Sequence, residues 1–268
     1  MKELALILMG MRKKRGSIDF DLPEPEIIIG LTGLTEGIIR AERNLAHQLI
    51  EEFMLAANEA VARFITSRDI PFLYRVHENP DPAKLRTFQE FIYGFGYEFG
   101  LVEDKVNPSE LQRLLNQADG RPEERMINYA LLRCMKQARY AADNAGHFGL
   151  ASDCYCHFTS PIRRYPDLVV HRILKAALTL APSPLTDPLG PKGEGRGGGG
   201  GDAGISTDSA NAGFPLPLTP SRKGRGDKQL AIATERLGEV AEHTSKRERV
   251  AMEAERDVVE MKKLQYMQ

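Results

Sequence analysis

The apolar pattern of the chain is interrupted once, and that interruption decides how the rest can fold. Between about Ala181 and Lys228 the sequence passes into Pro, Gly, Ser and Asp, with an unbroken glycine run from Gly197 to Gly201. Such a composition cannot bury enough apolar surface to offset its ordering entropy, so 181–228 is expected to be a disordered insertion. The glycine run is not a phosphate-cradling loop, because no Gly-Lys-Ser/Thr follows it and no strand precedes it. After Lys228 a helical pattern resumes, with Leu237, Val240, Ala241, Val250, Ala254, Val258, Met261 and Leu264 as a narrow stripe on a heavily charged helix. Thr244, Lys246 and Arg247 interrupt the stripe, which argues against a coiled coil. One helix has no core of its own. Segment 229–268 is therefore expected to close onto the body formed by 1–180 as part of one compact domain, with no separate domain after it.

The body reads as α+β, rich in helix with a few strands. Ser17 to Leu22 alternates polar and apolar residues after the basic stretch Arg12 to Arg15, and Pro23 and Pro25 follow, which predicts a short strand entered by a solvated basic turn. Leu45, Leu49, Phe53, Ala57, Val61 and Phe64 recur at helical spacing, with Asn44 placed to cap the N-terminus. A strand is expected after Pro71, and a helix over Lys84–Phe95 with Leu85, Phe88 and Ile92 on one side. Asn107-Pro108-Ser109-Glu110 carries a cap, a proline at the first helical position and a carboxylate at the third. A further helix is predicted from Pro122 to about Ala142. Residues from Gly146 to Thr159 are expected to be irregular or extended, and Pro166 opens another helix with Asp167 facing the positive end of its dipole.

Charge and cysteine usage narrow the function classes. Lys and Arg number 36 against 37 Asp and Glu, so any polyanionic partner must be held by local basic clusters. Three cysteines, Cys134, Cys154 and Cys156, are too few and too unevenly spaced for a disulfide framework, which suits a cytoplasmic, reducing setting. No run approaches the ~20 apolar residues of a membrane span, so no membrane partner is expected. Cys154, Cys156 and His157 are too closely spaced for a closed zinc site and lack an evident fourth ligand. A Cys154 nucleophile with His147 or His157 has no third, orienting residue. A second basic cluster, Ser221 to Arg225, reads as a solvated turn, as the first does.

The stretch from His157 to Arg172 carries the most chemistry. Arg163 and Arg164 stand just before a helix N-terminus, where bidentate guanidinium donors and exposed backbone N–H groups together suit phosphate oxygens. Thr159 and Ser160 add hydroxyls, and Tyr165 adds a ring for stacking or hydrogen bonding. The plainer alternative is that both arginines make structural ion pairs and that His157 and His171 are satisfied, partly buried imidazoles.

The same stretch, His157 to Leu174, resembles the signature of the catalytic domain of the ribonuclease II/R family. Asn144 to Ala151 precedes it as in that family. Arg15 to Phe20, Ala46 to Asn58, Pro71 to Glu78, Pro80 to Leu85 and the closing Glu248 to Met267 are similar too, and they stand in family order. The resemblance implies an RNB catalytic domain, with 1–180 as its C-terminal part and 229–268 as its closing helix. It implies a 3′-to-5′ exoribonuclease that hydrolyses single-stranded RNA from its 3′ end to nucleoside monophosphates with Mg²⁺. By resemblance Arg163 contacts the phosphate near the scissile bond and Glu255 shares that site. Thr159, Ser160, Arg164 and Tyr165 lie along the RNA. Glu51 or Glu52 reaches sugar or base near the 3′ end, and spacing does not decide between them.

The family's metal ligands form an aspartate-rich block, Asp-x-x-x-x-x-Asp-x-Asp-Asp, upstream of every block matched here, and this sequence has none. Asp19 and Asp21 belong to a different block. The resemblance also implies cold-shock and S1-type domains that guide RNA, and these are not seen either. The expectation is thus an exoribonuclease fragment, inactive alone and weak in RNA binding. The rivals are a non-catalytic remnant that binds RNA or a partner, and a chain that does not fold alone because its apolar faces are exposed.

Overall fold

The computed structural model describes residues 1–20, 25–31, 33–41, 44–101, 106–180 and 236–267. The insertion predicted over 181–228 lies outside them, as do Asp21 and Leu22. The chain runs α1 (Lys2–Arg15), β1 (Pro25–Ile29), β2 (Thr35–Arg40), α2 (Leu45–Thr66), β3 (Tyr74–Val76), α3 (Pro82–Tyr93), α4 (Pro108–Ala118), α5 (Glu124–Cys134), β4 (Arg139–Ala141), α6 (Tyr165–Leu180) and α7 (Leu237–Met267), with a 3₁₀ turn at Phe148–Leu150. Helix dominates, with two small antiparallel pairs, β1–β2 and β3–β4, which is the α+β balance expected.

Local chemistry fixes several helix starts. Asn44 adopts extended backbone and its side chain accepts from the N–H of Ala46 and His47, so α2 begins where the cap predicts. Asn107 does the same for Ser109 ahead of Pro108. At the end of α1, Gly16 takes a left-handed φ of 93° and its N–H closes back on the last turn. A methyl group at Gly16 would meet the backbone N of Ser109 at 2.6 Å, so α1 abuts the start of α4.

Two cores result. Leu85, Phe88 and Ile92 of α3 pack with Leu111, Leu114 and Leu115 of α4 and with Ile127 and Leu131 of α5; Ile18, Phe99, Val106 and Phe148 complete this helical core. The second core joins Ala62 and Ile65 of α2, Phe72 to Val76, Cys154 and Cys156, Val169, Val170 and Ile173 of α6, and Leu237, Val240 and Ala241 of α7. The first turns of α7 are thus buried in the same core as α6, while Val250, Val258, Met261 and Leu264 farther along are exposed. The far part of α7 meets the β1–β2 hairpin, where Lys262 Nζ donates to Gly33 O and Thr35 Oγ1 donates to Lys262 O.

Three local expectations need correction, and one element was missed. Ser17 to Phe20 forms no strand; Ile18 N donates to Gly149 O at 2.8 Å and its side chain enters the helical core. Arg12 to Arg15 form the last turn of α1, not a solvated turn. Arg12 is buried and bonds Glu52 at 2.7 Å, and Arg15 reaches Glu59 with two bonds. The fifth helix stops at Cys134 rather than Ala142, because Arg139–Ala141 pairs with β3. The hairpin Pro25–Arg40 was not predicted, although the run Glu26-Ile27-Ile28-Ile29 before Gly30 is a strand signal.

Candidate phosphate-binding cleft

The segment from Tyr155 to Arg164 is built by side chains from other elements. Asn58 of α2 accepts through Oδ1 from Phe158 N at 3.0 Å and Thr159 N at 3.2 Å, and its Nδ2 donates to Tyr155 Oη at 2.9 Å. His171 bonds Phe158 O through Nε2 at 2.8 Å, and its ring stacks on Phe158 with centroids 4.0 Å apart. Asp167, fully buried, accepts from Ser160 N at 2.8 Å and takes two bonds from the Arg164 guanidinium. Ser160 O then receives the N–H of Arg163 and Arg164, closing the turn into α6. Asp167 therefore does more than face a helix dipole: it locks the turn that carries the arginines.

The two arginines have different fates. Arg164 is spent on Asp167, as the ion-pair alternative expects. Arg163 is exposed, and among the described residues no carboxylate is paired with it. It lines a cleft of about 520 Å³ between the start of α6 and one face of α7. Arg164, Tyr165 and Tyr140 share its walls, and Arg247, Glu248, Met252 and Glu255 come from α7. Arg163 and Glu255, more than ninety residues apart in sequence, thus face one space.

The other expected residues lie around or away from it. Tyr165 presents its ring to the cleft, and its Oη is buried without a hydrogen-bond partner among the described residues, as is Thr159 Oγ1. Thr159 and Ser160 belong to the supporting turn and do not line the cleft. Glu52 is held in the buried pair with Arg12, and neither it nor the half-buried Glu51 lines the cleft. Asp19 stands 3.7 Å from Arg12. Reasoning on sequence missed Arg247, Tyr140 and Met252. The helical period read backwards from Glu255 finds Met252, Glu248 and Arg247 on one face of α7, so that signal was present.

Behind the cleft a ladder of rings is kept neutral. His157 Nδ1 bonds Tyr140 Oη at 2.8 Å, and Tyr155 packs edge-on between His157 and His147. Burial disfavours the imidazolium of His157, with Arg164 and Arg75 adding repulsion, and holds its pKa down at about 2. His147 is lowered to about 3, by burial and then by His77. Burial also pushes Tyr140 and Tyr155 up to about 12. Arg75 sits over the Tyr140 ring and pairs with Glu248 at 2.5 Å, which ties β3 to α7. Cys154 and Cys156 are free buried thiols; Cys156 Sγ bonds Asn58 O, and burial raises its pKa.

The donor set suits an anion. Its walls carry Arg163 and Arg247 against Glu255, with Arg164 and Glu248 already paired to Asp167 and Arg75. A Mg²⁺ ion demands several hard oxygen ligands, and this set does not fit one. Among the described residues no group of three or more His, Cys, Asp and Glu could hold a metal. None of their helices is long and apolar enough to cross a membrane.

Similarity to known proteins places the chain in a family. The family model described as the RNB domain matches residues 1–180. Ribonuclease R 1 of Lactococcus lactis is 38% identical over 268 residues, which cover 100% of this chain and 28% of that protein. Ribonuclease R of Thermotoga maritima is 39% identical over 266 residues, covering 99% of this chain and 32% of the relative. The apo structure of Mycoplasma genitalium RNase R superposes with a TM-score of 0.79 at 25% identity, covering 99% of this chain and 35% of that one. The same protein has been solved in complex with ribose methylated single-stranded RNA and with double-stranded RNA. The chain spans about a third of the length of these relatives. With its fold, its ordered motifs and its matched length in agreement, the chain belongs to the RNB-domain family.

Proposed function

We propose that this chain supplies the phosphate-gripping part of a 3′-to-5′ exoribonuclease, with the cleft between α6 and α7 holding the RNA backbone near its 3′ end. The observation that carries this reading is the meeting of exposed Arg163 with Glu255 across one cleft. Arg163 offers a planar, bidentate donor to a phosphate, and the Tyr165 side chain beside it in the cleft wall offers a ring face to sugar or base. Arg164 acts by holding the turn through Asp167, and Thr159 and Ser160 act through their backbone. Glu51 and Glu52 stay outside this grip, since neither lines the cleft and Glu52 is committed to Arg12. Residues 1–180 and 229–268 work as one RNB unit around the insertion, and the unpaired thiols suit a reducing cytosol.

The family's hydrolysis uses Mg²⁺ to generate the attacking hydroxide and to stabilise the leaving oxygen. The cleft residues do not fit that ion, so their part is to bind and orient the phosphate. The chain by itself is expected to bind single-stranded RNA and leave it intact. Fluorescence anisotropy with an end-labelled single-stranded RNA tests this over a range of salt concentrations. Arg163→Ala should weaken binding by roughly tenfold, as losing a charge-assisted bond does, and should lower the salt slope by about 0.7. Equal affinity for both proteins sinks the phosphate reading. Shortening of the RNA in Mg²⁺, lost in Arg163→Ala, shows instead that the chain cleaves.

A further inference from the structure

We infer that Asn58 is a positioning residue for RNA, acting on Arg163 through the backbone of residues 158–160; this rests on the phosphate reading of the cleft. Asn58 is 3% exposed and lies on α2, outside the cleft. Its amide oxygen takes the N–H of both Phe158 and Thr159, and its amide nitrogen donates to Tyr155 Oη. Its own carbonyl receives Cys156 Sγ. One residue thus fixes the chain at 155, 156, 158 and 159. The turn that follows is held at Ser160 N by Asp167, and Asp167 belongs to α6, the helix the turn opens. Asp167 therefore fixes the turn to its own helix. Asn58 fixes it to a different one.

Arg163 follows Thr159 by four residues, and its N–H closes on Ser160 O. The place of its guanidinium against the α7 wall is thus inherited from the two amides that Asn58 holds. An apolar residue at position 58 would leave two part-buried N–H groups without partners, and an unmet donor costs more than an average hydrogen bond contributes. The segment would then leave its path to find water, carrying Arg163 with it. Asp at the same position keeps the oxygen that accepts both amides, and the Tyr155 hydroxyl can turn to donate to its second oxygen.

The test uses the full chain with Asn58→Ala, Asn58→Asp, Arg163→Ala and the Asn58→Ala/Arg163→Ala double variant, each first shown to melt cooperatively. Amide hydrogen exchange over 158–164 should quicken in Asn58→Ala while α2 amides stay protected, and Asn58→Asp should restore the slow exchange. Affinity for a labelled single-stranded RNA should fall roughly tenfold in Asn58→Ala, matching Arg163→Ala. The double variant should bind no worse than Arg163→Ala, because both changes remove the same contact. Unchanged exchange in Asn58→Ala overturns the inference, as does a double variant whose losses simply add. If Asn58→Ala does not fold, Asn58→Asp decides: wild-type exchange and affinity support the inference, and an Arg163→Ala-like loss in the cooperatively folded protein overturns it. Normal RNA affinity in Arg163→Ala is a different failure, since it removes the phosphate reading even where the exchange result stands.

Discussion

The helical core and the core behind the cleft are built by different means. Leu85, Phe88, Ile92, Leu111, Leu114, Ile127 and Leu131 come from three helices in succession, and Asn128 is the buried polar side chain among those helices. The other core gathers α2, β3, the 154–156 segment, α6 and the start of α7 across the insertion. The helices that build it also carry Glu52, Asn58, Glu59, Asp167 and Ser245, and Arg12 joins Glu52 from α1; all are buried and hydrogen-bonded. Apolar packing is tolerant of direction, whereas a buried polar network holds only when every member is satisfied. The half that presents Arg163 therefore carries the geometric precision, and the helical half supplies volume.

Glu52→Ala tests that contrast hardest. It leaves the buried Arg12 guanidinium without its nearest counter-charge, with only the exposed Asp19 at 3.7 Å, and urea unfolding should show a loss of about 3–5 kcal/mol. Replacing both partners, Arg12→Met with Glu52→Leu, should recover most of it. A cost no larger than that of the exposed Glu242→Ala would remove the special status of the polar network.

Leu131→Ala in the helical core comes next. Leu131 is fully buried, so the cavity should cost about 3 kcal/mol. RNA affinity, measured where the variant is still folded, should stay unchanged. A weaker grip on RNA at full helicity would show that the two cores are coupled more tightly than their contacts suggest.

Acid probes the cleft side. His147 and His157 are held at about 3 and about 2, below their ordinary 6.5. The unfolded chain takes up their protons below about pH 6.5 and the folded chain does not. Their stabilising effect is complete above that value and is lost as the pH falls through the window down to about 3 and 2. Each should add a slope on the order of 1 kcal/mol per pH unit, read as a falling urea midpoint between pH 7 and pH 5. A His157→Asn variant should fall less steeply. The same slope in both proteins would assign the acid sensitivity to carboxylates instead.

Where the deciding contact is local, the sequence was readable. Asn44 and Asn107 cap the helices they precede, and Leu85, Phe88 and Ile92 form the buried face their spacing predicts. Where the partner is distant, it was not. Arg12 and Arg15 look like a solvated turn until Glu52 and Glu59 arrive from α2. Residues after Cys134 continue a helical pattern, yet Arg139–Ala141 gains more by pairing with β3. The ordered family blocks singled out Arg163 and Glu255, which the fold brings to one cleft, whereas Arg247 on the same face of α7 was missed. Asn58 gave no such sign, since its role is to meet two backbone amides a hundred residues later.

Gly16 stands where these two halves touch. Helix α1 is riveted to α2 by Arg12 and Arg15, and its last residue leads into a left-handed glycine pressed on the first turn of α4. The clearance there is smaller than one methyl group. A larger residue at this position would force the helical half to swing away from the α1–α2 pair, so a change of a single carbon would be read out as an angle between halves of the molecule.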